Sequence, residues 1–125
     1  MNIKPITTNG APGAIGPYSQ AIQIGELVYT SGQLPVNPTT GMIPEGVKEQ
    51  AKQSLENVQA ILESTGTSME KVFKTTIFIK DMNDFVEINE VYSQFFKEPF
   101  PARSCVEVAR LPKDVKVEIE VIATL

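Results

Sequence analysis

Apolar residues recur at Val47, Ala51, Leu55, Val58 and Leu62, at steps of four, four, three and four, and this period predicts an amphipathic helix over 46–64. Lys48, Glu49, Lys52, Gln53, Glu56 and Glu63 fall on its solvated face, and Gly66 follows as a C-terminal cap. A second stripe, Phe85, Ile88, Tyr92 and Phe95, predicts a helix over 84–97, with N-cap choices in Asp81–Asp84 and an end enforced by Pro99 and Pro101. Its spacing reads as core packing before it reads as an aromatic binding box.

The strands follow a different pattern. Segments 18–24 and 27–33 are rich in Ile, Val, Tyr and Thr and meet at Gly25-Glu26, a pair suited to a two-residue hairpin turn. Val72–Lys80 is β-branched and aromatic, and 102–109 and 115–124 read as two further strands joined through Leu111-Pro112-Lys113-Asp114. The stretch up to Pro17 reads as a loop, and its glycines lack the preceding strand and the spacing of a phosphate cradle. The expected order is ββαβαββ, an α+β fold with a mixed sheet and both helices on one face. The opposite sheet face must then be solvated, strongly polar, or buried by another copy of the chain.

Composition narrows the chemistry. At 125 residues, with 42% hydrophobic and 21% charged positions and no repeat or linker, the chain reads as one globular domain over 1–125. It has no histidine, which excludes a Ser-His-Asp or Cys-His unit, an HExxH zinc site and an imidazole switch. The single Cys105 cannot form an intrachain disulfide or a multi-thiolate metal site, and a lone thiol fits the cytoplasm. Met1-Asn2-Ile3-Lys4-Pro5 lacks the apolar core of a signal peptide, and no apolar run approaches the roughly 18–20 residues of a membrane span. A net charge of −4 with no basic cluster argues against nucleic acid as a partner.

Chemistry concentrates in the last two strands. Alternation puts Arg103, Cys105 and Glu107 on one face of the first, and Lys116, Glu118, Glu120, Ile122 and Thr124 opposite the apolar face of the second. If these strands form an antiparallel hairpin, Arg103 lies opposite or diagonal to Glu118. Spacing alone favours a structural ion pair there over a shared site. Cys105 reads as a small buried hydrophobe with nothing to activate it, while Tyr18 and Ser31, the latter before Gly32, sit near strand ends where polar tips can line a cleft.

These segments also carry a resemblance. Ile15-Gly16-Pro17-Tyr18, Thr30-Ser31-Gly32-Gln33, Lys80-Asp81-Met82-Asn83-Asp84-Phe85, the run Phe100–Pro112 and Val117-Glu118-Ile119-Glu120 resemble the reactive-intermediate deaminase (Rid) family, in particular its RidA-type enamine/imine deaminases. The likeness spans essentially the whole chain, apart from a shorter stretch before Phe100. It implies a chorismate-mutase-like domain that assembles as a homotrimer around a central barrel, with clefts between subunits and no metal or organic cofactor. Carried over by position, Arg103 corresponds to the residue that grips a substrate carboxylate and Glu118 to the one that activates water. Tyr18, Ser31, Gly32, Asn89 and Cys105 fall on cleft positions, and Glu120 is left structural.

The implied activity is hydrolysis of 2-aminoacrylate and related 2-imino acids, as supplied by pyridoxal-phosphate-dependent dehydration of serine and threonine, to 2-keto acids and ammonia in metabolite damage control. Two other readings stand beside it. One is a trimeric module that binds keto acids or acts, chaperone-like, on client proteins, and it would tolerate loss of Glu118. The other is ribonuclease activity, ascribed to proteins grouped with this family, against which the acidic charge and missing histidine weigh.

Overall fold

The computed structural model describes residues 2–125. Its elements are β1 (Ile3–Ile6), β2 (Ala21–Ile24), β3 (Leu27–Thr30), α1 (Val47–Ser64), β4 (Val72–Ile79), α2 (Phe85–Tyr92), β5 (Ala102–Glu107) and β6 (Val117–Thr124). They form one α+β domain in which a six-stranded mixed sheet runs β1-β2-β3-β6-β4-β5. Only the β4–β5 pair is parallel.

The apolar stripe of α1 is buried as its period requires, together with Ile61, and packs on the alternating face Val117, Ile119, Val121 and Ala123 of β6. Its end is set by Gly66 at φ 91°, with Gly66 N–H donating to the Glu63 carbonyl and Thr67 N–H to that of Leu62. Two buried amides tie loops to this helix. Asn57 donates to the carbonyls of Leu34 and Val36, and Gln50 donates to that of Pro44 while accepting from Lys116 N–H. The turn-rich 33–45 connection is thereby held against the helix that supports the sheet.

Three expectations need correction. The segment before Pro17 is not all loop, because Ile3–Ile6 pairs with β2 as an edge strand. Pro5 breaks the alternation that marks a strand, yet proline is tolerated at an edge where it loses no second ladder bond. The second helix stops at Tyr92 instead of 97: Ser93 Oγ donates to the Glu90 carbonyl, and the bonds Gln94 N–H to Val91 and Phe95 N–H to Tyr92 are of the tighter turn type. Phe95 and Phe96 still pack on the core from these turns.

Third, the last two strands do not form the expected hairpin. β4 lies between them, parallel to β5 through the α2 crossover and antiparallel to β6. The intervening connection turns at Lys113 (φ 58°) and Asp114 (φ 55°), left-handed positions that cost an L side chain about 1–2 kcal/mol each. Arg110 grips Asp114 with two bonds of 2.8 and 3.3 Å, holding this turn and keeping the Asp114 carboxyl below its usual range.

One sheet face is covered by the helices, and among the described residues no helix or strand covers the other. The bare face presents Leu27, Tyr29, Phe78, Val106 and Ile122 among Glu118, Glu120, Thr76 and Ser104, with Tyr29 and Val106 about half exposed at 45% and 44%. Neither a wholly polar nor a wholly apolar surface, it is the face on which half of the chemistry lies.

Candidate active site

Glu118 projects from the bare face of β6, and a local break in the ladder prepares its surroundings. From Tyr29 to Gln33 the chain takes four steps while the partner strand takes three, from Ile122 to Ile119, so one extra residue bulges out at Ser31-Gly32. Thr30 fills the gap by accepting from Val121 N–H through its hydroxyl (3.0 Å). A bulge redirects side chains, and this one brings Gly32 directly against Glu118. A Cβ built at Gly32 would overlap the Glu118 carboxylate, so a larger residue here would displace that carboxylate from its present position.

Ser31 and Tyr18 complete this half. The Ser31 hydroxyl donates to the Ser19 carbonyl (2.6 Å), which leaves its lone pairs as acceptors. Tyr18 stands 53% exposed after Gly16, whose φ of 122° only glycine adopts readily. The loop before it is pinned by the buried Gln20 amide, which donates to the carbonyls of Thr8, Ala11 and Pro12 and accepts from Thr8 N–H. Tyr18, Gln20, Ser31 and Gly32 wall a groove of about 670 Å³ together with Ile15, Lys113 and Glu118.

Burial raises the Glu118 carboxyl above its ordinary value, and the neighbouring Glu120 charge raises it further. Glu120, left as structural by the sequence reading, therefore tunes the acidity of Glu118. A base must be ionised to accept a proton, so activity that depends on Glu118 rises with pH along a limb above the usual carboxylate range. Glu120→Gln removes the repulsion and should move that limb to lower pH in a kcat/KM profile. A limb that stays in place would detach the profile from Glu118.

The other half lies on the helix-covered face, at the β5 edge. Arg103 donates through Nη1 to Asn89 Oδ1 at 2.7 Å, and its guanidinium sits 5.4 Å from the Phe85 ring centroid and 4.8 Å from that of Tyr92. Tyr92 is itself fixed by a buried hydroxyl contact with Thr75 of 2.9 Å. Phe85 and Tyr92 thus do two jobs: they belong to the core stripe and they flank the Arg103 guanidinium. Only the first is legible in the sequence, because helical period does not distinguish a core ring from one that also carries a cation. Cys105, two residues along, packs against the core, and burial pushes its thiol up while Arg103 opposes this. It is no activated nucleophile.

The two halves do not meet within the chain. Arg103 pairs with Thr75, itself paired with Val121, whereas Glu118 pairs with Phe78 three residues further along β4. Directly paired residues share a face, so Arg103, Asn89 and Cys105 lie on one side of the sheet and Tyr18, Ser31, Gly32 and Glu118 on the other. Among the described residues no cluster of three His, Cys, Asp or Glu is arranged to hold a metal ion, and no helix is long and apolar enough to cross a membrane.

The chain is similar to known proteins over nearly its whole length. Residues 8–125 match the family model described as Endoribonuclease L-PSP. Over 123 residues the chain is 58% identical to a 2-iminobutanoate/2-iminopropanoate deaminase of Escherichia coli strain K12, covering 96% of each chain. The crystal structure of E. coli TdcF with bound serine superposes with a TM-score of 0.94 at 58% identity and 98% coverage of both chains. RidA from an Antarctic Psychrobacter superposes equally well, with a TM-score of 0.94 at 46% identity over 98% of this chain and 99% of that one.

Proposed function

The chain belongs to the Endoribonuclease L-PSP family and, within it, to the RidA-type reactive-intermediate deaminases, and from that premise we propose that it hydrolyses 2-aminoacrylate and related 2-imino acids to 2-keto acids and ammonia. The observation that carries the mechanism is the pair of prepared halves: a half-buried carboxylate in a groove and a guanidinium flanked by two rings. Each is suited to one end of an imino acid.

Arg103 grips the substrate carboxylate with parallel N–H donors, and Asn89 fixes the direction of that fork. The enamine tautomerises to the imine. Glu118 takes a proton from water as its oxygen bonds to the imine carbon, which yields a carbinolamine. That proton completes the amino group of the carbinolamine; Glu118 then takes the hydroxyl proton and passes it to the nitrogen as the C–N bond breaks, so ammonia leaves as the carbonyl forms. Tyr18, Ser31 and Gly32 shape the water side of this cleft and Cys105 the carboxylate side. Because the imine also hydrolyses in free water, placement and one carboxylate that shuttles protons suffice.

Since Arg103 and Glu118 lie on opposite sheet faces, a complete site needs two copies of the chain. We place it between neighbouring subunits of a homotrimer whose bare faces line a shared barrel. The half-exposed Tyr29 and Val106 on that face support such burial. The reading is of a cytoplasmic deaminase domain over 1–125 that needs no cofactor, in keeping with its unpaired Cys105. Ribonuclease chemistry, which the family description carries, fits poorly with a chain of net charge −4 that lacks histidine.

The test generates 2-aminoacrylate from serine with a dehydratase, traps the imine with semicarbazide, and follows pyruvate release. Addition of the protein should speed release and reduce trapping. No acceleration, combined with keto-acid binding, would transfer the chain to the ligand-binding reading.

A further inference from the structure

Glycine is the residue that a left-handed turn asks for, and the chain places lysine there instead. Lys113, at φ 58°, is followed by Asp114 at φ 55°, and the turn is held by the Arg110 fork on Asp114 and by Asp114 N–H on the Leu111 carbonyl. Such strain at a surface connection needs a reason, and the reason lies in where it puts the side chain. Lys113 lines the Glu118 groove, and among the described residues walling that groove it is the only cation and Glu118 the only anion.

We propose that Lys113 is a specificity-determining residue whose ammonium draws carboxylate-bearing substrates into the groove, an inference that rests on the deaminase reading above. The need for it is electrostatic. A 2-imino acid is an anion approaching a chain of net charge −4 and a groove that holds Glu118 with Glu120 beside it. Within one chain Arg103 projects from the opposite sheet face and reaches this groove only from a neighbouring copy, so Lys113 is the cation that the chain holding Glu118 itself supplies at the groove wall. A cation at the groove wall lowers the barrier to entry and discriminates against neutral imines, and its effect is screened by salt.

The experiment compares wild type, Lys113→Gly and Lys113→Arg at low and high ionic strength. Glycine suits the backbone at this position, so the first variant removes charge without adding strain. At low salt Lys113→Gly should lose roughly five-fold in kcat/KM for the anionic imine, mainly through KM, and the gap should close at high salt, where the screening length falls to a few ångströms. Lys113→Arg should keep the wild-type value and its salt slope. Equal kcat/KM for Lys113→Gly and wild type at low salt would overturn the proposal, as would a loss carried by kcat alone.

A parallel calorimetric titration with 2-ketobutyrate, a stable anion, reads the same charge without turnover. If wild type binds it more tightly than Lys113→Gly only at low salt, the inference stands even should the deaminase assay fail. Equal binding would remove it even should the assay succeed.

Discussion

Glu118→Gln is expected to lower kcat by about 10²–10⁴-fold in the pyruvate-release assay, the range associated with removing a general base. Gln retains the shape that Gly32 accommodates, so the groove stays open and the loss reports proton transfer. The same variant separates activity from stability. Glu118 has its folded-state pKa raised, so its stabilising, protonated form prevails below the unfolded pKa and is lost as pH rises through the folded value. At neutral pH the ionised, half-buried carboxylate is a cost that Gln does not carry. Glu118→Gln should therefore melt at or above the wild-type temperature at pH 7, with the difference shrinking in acid. A variant that is both less active and less stable at neutral pH would mean that the carboxylate is structural.

Arg103→Ala should cost roughly 10²–10³-fold in kcat/KM, the usual effect of removing one partner of a fixed charge pair. A mixing experiment gives this variant its sharper use. When Arg103→Ala and Glu118→Ala chains are each inactive, then unfolded and refolded together in equal amounts, a site built from neighbouring copies is intact whenever its Arg103 comes from one variant and its Glu118 from the other. Random assembly in a head-to-tail ring makes that true for about a quarter of sites, so about a quarter of wild-type activity should return. A site contained within one chain recovers nothing. The result decides between the two arrangements without a structure of the assembly, and it does so against a background near zero.

How much of this was legible beforehand depends on what kind of information each feature needs. The long helix was readable because five residues at the right spacing suffice to define a buried stripe, and its length and Gly66 cap came with it. The short helix was overrun because Phe95 continues the stripe after Ser93 has turned the backbone out of it. The faces of β6 were plain from alternation, but the neighbour of β6 was not: strand order is set by which segment fills the sheet centre, and β4 has both its neighbours hydrogen-bonded. That single insertion separates Arg103 from Glu118. Roles for the two can be proposed only through family likeness, since spacing alone favours an ion pair that does not form. Phe85 and Tyr92 were legible as apolar and illegible as supports for Arg103, because only the register of β5 beside α2 brings the guanidinium to them.

The four residues of β1 have a bearing on solubility. A sheet has two rims, and an unpaired rim is a template on which other chains can add as strands. Here one rim ends in Ile3-Lys4-Pro5-Ile6, where Pro5 removes a donor and Lys4 adds a charge. Behind it lies Ala21-Ile22-Gln23-Ile24, uncharged and free of proline. The opening residues thus act as a stopper, covering a sticky strand with a poor one, and growth of the sheet by accidental stacking is directed away from that end.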